Sequence, residues 1–169
     1  MAVFSADDTD RLDYKILASG GVSLYFQHEV LAEDLAWFAV EGYDLVQFDE
    51  EAMESIASFH FEARLKLSAE DDYGPSPQGL RDALGTAAKE DSVGLVVVLP
   101  AIDKLAESDP QETLRLLDAL SDHSRESIMI GRRVLALTQS DDPQLDLGLI
   151  GGKVLQWNER ERQPWARGL

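Results

Sequence analysis

Residues 70–84, Glu-Asp-Asp-Tyr-Gly-Pro-Ser-Pro-Gln-Gly-Leu-Arg-Asp-Ala-Leu, join three consecutive carboxylates, a Tyr-Gly turn and a helix start. Ser76 is suited to accept a bond from the free backbone N–H groups of the first helical turn, and Pro77 fits the first helical position, where no N–H is needed. Glu70, Asp71, Asp72 and Asp82 then lie within one or two helical turns of each other, beside the ring of Tyr73. Fixed carboxylates of this kind can take up a cationic group; the plainer reading is a solvated acidic connector. Acids are so plentiful in this chain that a pair for acid–base catalysis or for magnesium could be assembled in many places, and spacing selects none of them.

Other chemistries find little support. Gly20-Gly21 and Gly151-Gly152 lack the spacing and the following helix of a phosphate-cradling loop. There is no Gly-x-Ser-x-Gly elbow, no alternating-acid calcium loop and no cysteine, and His28, His60 and His123 are scattered singly. The expectation is a protein that is not an enzyme and uses no cofactor or metal. A carboxylate-based enzyme stays as a third reading.

With 32 acidic against 15 basic side chains the formal charge is −17, which repels nucleic acid and anionic membrane and favours a basic partner. A hydrophobic content of 44% is that of a globular chain able to bury a core, and 169 residues fit one domain. No apolar run approaches the roughly 20 residues needed to span a bilayer. The opening Met-Ala-Val-Phe-Ser-Ala-Asp-Asp lacks the basic and apolar regions of a signal peptide, so the expected compartment is the cytosol. Oligomeric state is not fixed by these features.

The elements that must position the acidic stretch follow from periodicity. Residues 1–13 read as a frayed polar start, and Tyr14–Ala18 with Val22–Gln27 as a hairpin about Gly20-Gly21. Leu31, Leu35, Phe38 and Ala39 recur at helical spacing before Gly42, and Tyr43–Phe48 is a short β run. Asp49 is placed to cap a helix carrying Met53, Ile56, His60, Ala63 and Leu67 in one stripe, with His60 at its border. Val93–Leu99 is a continuous apolar run that suits a parallel strand covered on both faces. Ile102–Glu107 gives a helical turn, Asp109-Pro110-Gln111-Glu112 opens a leucine-rich helix, and Arg133–Thr138 is a last strand. The order predicts an α/β core with a small parallel sheet and packed helices. Residues 145–157 read as a second hairpin, and the Arg-rich last dozen as a loose end that Trp157 and Trp165 could pin. Residues 1–42, 43–139 and 140–169 thus divide into an extension, a central domain and a second extension of one compact unit.

The acidic stretch resembles the signature of the barstar family, intracellular ribonuclease inhibitors, which runs roughly Y-Y-G-x-N-[LW]-D-A-L-x-D-C-L. Aligned without a gap from Asp72, it matches at Tyr73, Gly74, Leu80, Asp82 and Leu84. The flanking strands and helices agree over about residues 43–138. Departures are Asp72 for the first tyrosine, Ser76 for the asparagine, Gln78 for the first aspartate, and Arg81 where an aromatic is common. The acidic position of the later helix falls near Ala119, with Asp118 adjacent.

The resemblance implies a three-layer-like barstar fold, here extended by N- and C-terminal hairpins. It also implies an immunity-type inhibitor that covers the basic active site of a ribonuclease or ribonuclease-type toxin. Asp82 takes the place of the aspartate that enters the enzyme's phosphate site, a carboxylate with no bond to cleave. The implied partner surface comprises Asp71, Asp72, Tyr73, Gly74, Gln78, Arg81, Asp82 and Asp118. Arg81 would repel a basic enzyme unless it points aside or is paired. The alternative is a regulatory or scaffold module that keeps this fold without ribonuclease inhibition.

Overall fold

A computed structural model of the chain describes residues 3–67 and 72–169. Its centre is a parallel sheet of β1 (Val22–Tyr25), β2 (Asp44–Gln47), β3 (Leu95–Leu99) and β4 (Val134–Gln139), in the order β1-β4-β3-β2. The apolar run ending at Leu99 is a central strand, and all five of its residues are buried. Side chains alternate across a strand. Accordingly Leu95, Val97 and Leu99 join one apolar cluster, and Val96 and Val98 join another.

Helices cover both faces. On one side lie α3 (Ile56–Lys66), α4 (Pro77–Ala87), α5 (Ile102–Ser108) and α6 (Pro110–Met129), contributing Phe59, Leu80, Leu84, Leu105 and Leu117 to the first cluster. On the other lie α1 (Leu12–Ala18) and α2 (His28–Val40), whose Ile16, Leu17, Leu31 and Phe38 pack with Val96, Val98, Leu135 and Leu137. The result is a three-layer α/β fold. A small antiparallel hairpin, β5 (Leu149–Ile150) and β6 (Lys153–Val154), lies within the expected 145–157 but is much shorter.

The expected N-terminal hairpin is not formed. Tyr14–Ala18 belongs to α1, and β1 pairs in parallel with β4 from Val22↔Ala136 to Tyr25↔Gln139. Leu12 and Ile16 are spaced i,i+4, so a helix lays both against the sheet. Gly20 and Gly21, at φ 112° and 80°, end that helix by donating to the carbonyls of Leu17 and Ile16. The start of the chain is also organised. Ser5 and Asp8 close a capping box on a 3-10 turn over Ala6–Asp10, and Asp13 is fully buried.

Two further elements differ from expectation. Asp49 makes no side-chain cap, and Glu50–Glu54 is a 3-10 turn; α3 starts only after Ser55, whose hydroxyl accepts from the Ser58 N–H at 3.1 Å. The last dozen residues are docked, not loose. Gln156–Asn158 runs along β1, the edge strand, with Leu24 N–H donating to Gln156 O at 3.0 Å and Asn158 N–H to Leu24 O at 2.8 Å. Arg167 stacks over Trp157 at 4.5 Å, whereas Trp165 is 75% exposed and pins nothing.

Candidate functional site: the tyrosine loop and the start of α4

Local sequence sets the geometry of α4. Ser76 accepts from the Gly79 N–H at 3.1 Å and Pro77 occupies the first turn, as the Ser-Pro pair predicts. The loop folds back onto this turn, with the Ser76 N–H donating to Gly74 O at 2.8 Å. A Cβ at Gly79 would lie 1.8 Å from that same carbonyl, so only glycine fits there. The signature gives this position to alanine; a glycine in the first turn of a helix, where it costs stability, is the one sequence signal for the close approach.

Tyr73 anchors the loop from the other side. Its ring is half-buried against the main core cluster, and its hydroxyl lies 2.6 Å from His60 Nδ1. Burial pushes the phenol up to about 12. Burial also holds His60 below its ordinary 6.5, with the charge of Glu112 acting in the opposite direction. At neutral pH the phenol is therefore the donor and the neutral imidazole the acceptor. His60 stands within the packed face, and its role in holding Tyr73 was not evident from its spacing.

The acids separate into distinct settings. Asp72 is exposed, and Asp71, with Glu70, lies outside the described residues. Asp82 is exposed on α4 and accepts from Gln78 Nε2 at 2.8 Å, one turn earlier. Among the described residues no cation lies within ion-pair distance of Asp82. Its neighbour Arg81 reaches across to α6 instead, where it pairs with Glu126 at 2.5 Å. That bond raises the Arg81 pKa and lowers that of Glu126. Glu126 is the partner that sequence reasoning missed: it lies 45 positions from Arg81, and no local spacing links the two.

Asp118 is elsewhere. Its carboxylate accepts from the Gly151 N–H at 2.7 Å and so holds the β5–β6 hairpin. It precedes Glu126 by eight residues, roughly 12 Å along the helix. Ala119, near which the resemblance puts the acidic position of the later helix, is buried. The structure therefore brings Asp72, Tyr73, Gly74, Gln78, Arg81 and Asp82 together at the loop and α4, and gives Asp118 a structural partner. Chemically the loop and α4 offer a fixed, solvated carboxylate beside a rigid aromatic anchor, with the adjacent guanidinium turned away.

No match to the chain is found among curated proteins. The family model described as Barstar (barnase inhibitor) matches residues 43–139, more than half of the chain. That region begins at Tyr43, just before β2, and ends at Gln139, the last residue of β4. It therefore takes in the anchored loop, α4 and three of the four parallel strands, and the chain belongs to the barstar family.

Proposed function

We propose that this protein is an inhibitor that occludes the basic active site of a ribonuclease or ribonuclease-type toxin with its tyrosine loop and the first turns of α4. One observation carries the reading: Asp82 is exposed on a capped helix and, among the described residues, has no cation within ion-pair distance, Arg81 being paired with Glu126. A ribonuclease concentrates cationic side chains where it grips a phosphodiester, and a carboxylate presented without rearrangement matches that site. The net charge of −17 speeds encounter with a basic enzyme. A basic partner, no nucleic acid and a cytosolic setting belong to the same proposal.

The test is binding to a panel of small basic ribonucleases, with and without Asp82→Ala. The expected result is capture of at least one enzyme, loss of its activity, and a drop in affinity of at least about tenfold in the variant, seen as faster dissociation. Capture of none, or binding indifferent to Asp82, removes this reading.

A second reading, a protein-interaction module on the same fold, draws on Leu149 and Val154. These cross-strand partners in the β5–β6 hairpin are 63% and 55% exposed. It predicts a partner lost on Leu149→Asp and kept on Asp82→Ala.

A further inference from the structure

A cavity of about 310 Å³ opens between α1, β1 and the docked C-terminal segment, at the small end of the range for ligand sites. All its lining residues lie within 12–23 and 156–162, so none belongs to the family-matched region. Leu12, Ile16 and Val22 give it an apolar lining, and Tyr14 and Trp157 add flat aromatic surface.

Its charged groups are Lys15, Glu159 and Arg162, two cations against one carboxylate in a molecule of net charge −17. Lys15 is paired with Glu159 at 2.8 Å. Arg162 is exposed, and among the described residues no carboxylate lies within ion-pair distance of its guanidinium. The adjoining cavity of about 360 Å³ shares Lys15 and Glu159 but adds Asp10, Glu33 and Asp34 against Arg160, and so disfavours anions. The two cavities therefore differ in sign.

We propose that the first cavity binds a small organic monoanion with a flat apolar body, of the aryl carboxylate class. The aromatic and aliphatic lining takes up the body, and the exposed guanidinium of Arg162 pairs with the carboxylate in a planar, two-point contact. Such an occupant touches both α1 and the Gln156–Asn158 segment that pairs with Leu24, so it also tightens the docking of the tail. This site is independent of the inhibitory surface, and its failure leaves the proposal for Asp82 intact.

The probe is 1-naphthylacetate, compared with its uncharged analogue 1-naphthylacetamide by isothermal titration calorimetry and by thermal unfolding of the full chain. One saturable site is expected, with the anion bound at least about tenfold more tightly than the amide and the unfolding midpoint raised in proportion. Arg162→Gln, at an exposed position, should bring the anion down to the level of the amide without changing the midpoint of the unliganded protein. Ser19→Trp, at the exposed end of α1, should fill the cavity and abolish both. No saturable binding of the anion, equal binding of anion and amide, or an Arg162→Gln variant that keeps the preference each overturns the proposal.

Discussion

The Tyr73 hydroxyl and Nδ1 of His60 meet at 2.6 Å, and this bond ties the tyrosine loop to α3 across 13 residues of sequence. Both pKa shifts favour it: the phenol is pushed up to about 12 and the imidazole is held below 6.5, so neither changes state near neutrality. Tyr73→Phe keeps the ring contacts with the core but leaves a buried imidazole nitrogen without its donor. The expected loss of stability is about 1–3 kcal/mol, measured as a lower urea midpoint at unchanged slope. An unchanged midpoint would show that the hydroxyl does not anchor the loop.

Burial of the two imidazoles also sets a pH dependence. His60 and His123 are both depressed below 6.5, each chiefly by burial, so between those folded values and 6.5 the unfolded chain binds more protons than the folded one. Stability is then full above about pH 6.5, falls as pH drops through the folded values and levels off below them. Asp13 acts in a lower window. Burial raises its pKa, but bonds from Arg11 and Tyr43 outweigh that and hold it below 3.8, so its contribution is lost only in stronger acid. Unfolding free energies taken from about pH 8 to about pH 5 should show the first decline, and His60→Gln should reduce it. A profile unaffected by that change would assign the decline to other groups.

Two glycines of α4 predict opposite outcomes. At Gly79 an added Cβ meets the Gly74 carbonyl at 1.8 Å, which forces the loop off the helix. At Gly85 it meets only His123 Cε1, at an ordinary 3.8 Å. Gly79→Ala should therefore destabilise the fold and weaken partner binding together, whereas Gly85→Ala should stabilise it by about 0.5–1 kcal/mol through helix propensity. Two variants of equal stability would contradict the observed packing.

What the residues disclosed beforehand divides along a physical line. Short-range signals were sufficient: Ser76 with Pro77, Asp109 before Pro110, and the apolar run ending at Leu99 each encode their element within a few positions. Tyr14–Ala18 misled because its apolar, β-prone residues satisfy a strand as well as a helix. The deciding contact is the burial of Asp13 against Tyr43 at 2.5 Å and Arg133 at 3.2 Å, which lie 30 and 120 positions away. The site was partly legible for the same reason. The exposed placement of Asp82 follows from a local cap, but the turning aside of Arg81 depends on distant Glu126, and Asp118 serves Gly151 across 33 residues.

The Arg81–Glu126 pair predicts an effect at a residue that is not needed to touch the partner. Both side chains are partly solvated, so Glu126→Gln should leave the unfolding midpoint almost unchanged. It also leaves the guanidinium beside Asp82 uncompensated. If the loop receives a basic ribonuclease, association should slow and affinity fall, and Arg81→Gln added to the same chain should restore both. Stopped-flow association rates at two salt concentrations test this, since the deficit should shrink as the Debye length falls from about 10 Å at 0.1 M to about 3 Å at 1 M. A single variant that binds at the parental rate would show that Arg81 is not steered by Glu126.

Glu161 predicts the opposite balance, with stability affected far more than binding. Although it belongs to the C-terminal segment, its side chain is fully buried. It accepts from the Phe26 N–H at 3.0 Å, from the Gln27 N–H at 2.7 Å and from the Asn158 amide. Those two backbone donors precede the first turn of α2, where a carboxylate also meets the positive end of the helix dipole. Glu161→Ala leaves one buried and two part-buried donors without their acceptor at one stroke and should cost at least about 2 kcal/mol. Amide exchange at Phe26, Gln27 and Leu24 should accelerate together, because the same segment covers the β1 edge. Glu159→Ala removes a solvated pair with Lys15 two residues earlier and should cost less than about 1 kcal/mol. Comparable losses in the two variants would mean that the tail is held by its backbone pairing along β1 and not by the buried carboxylate.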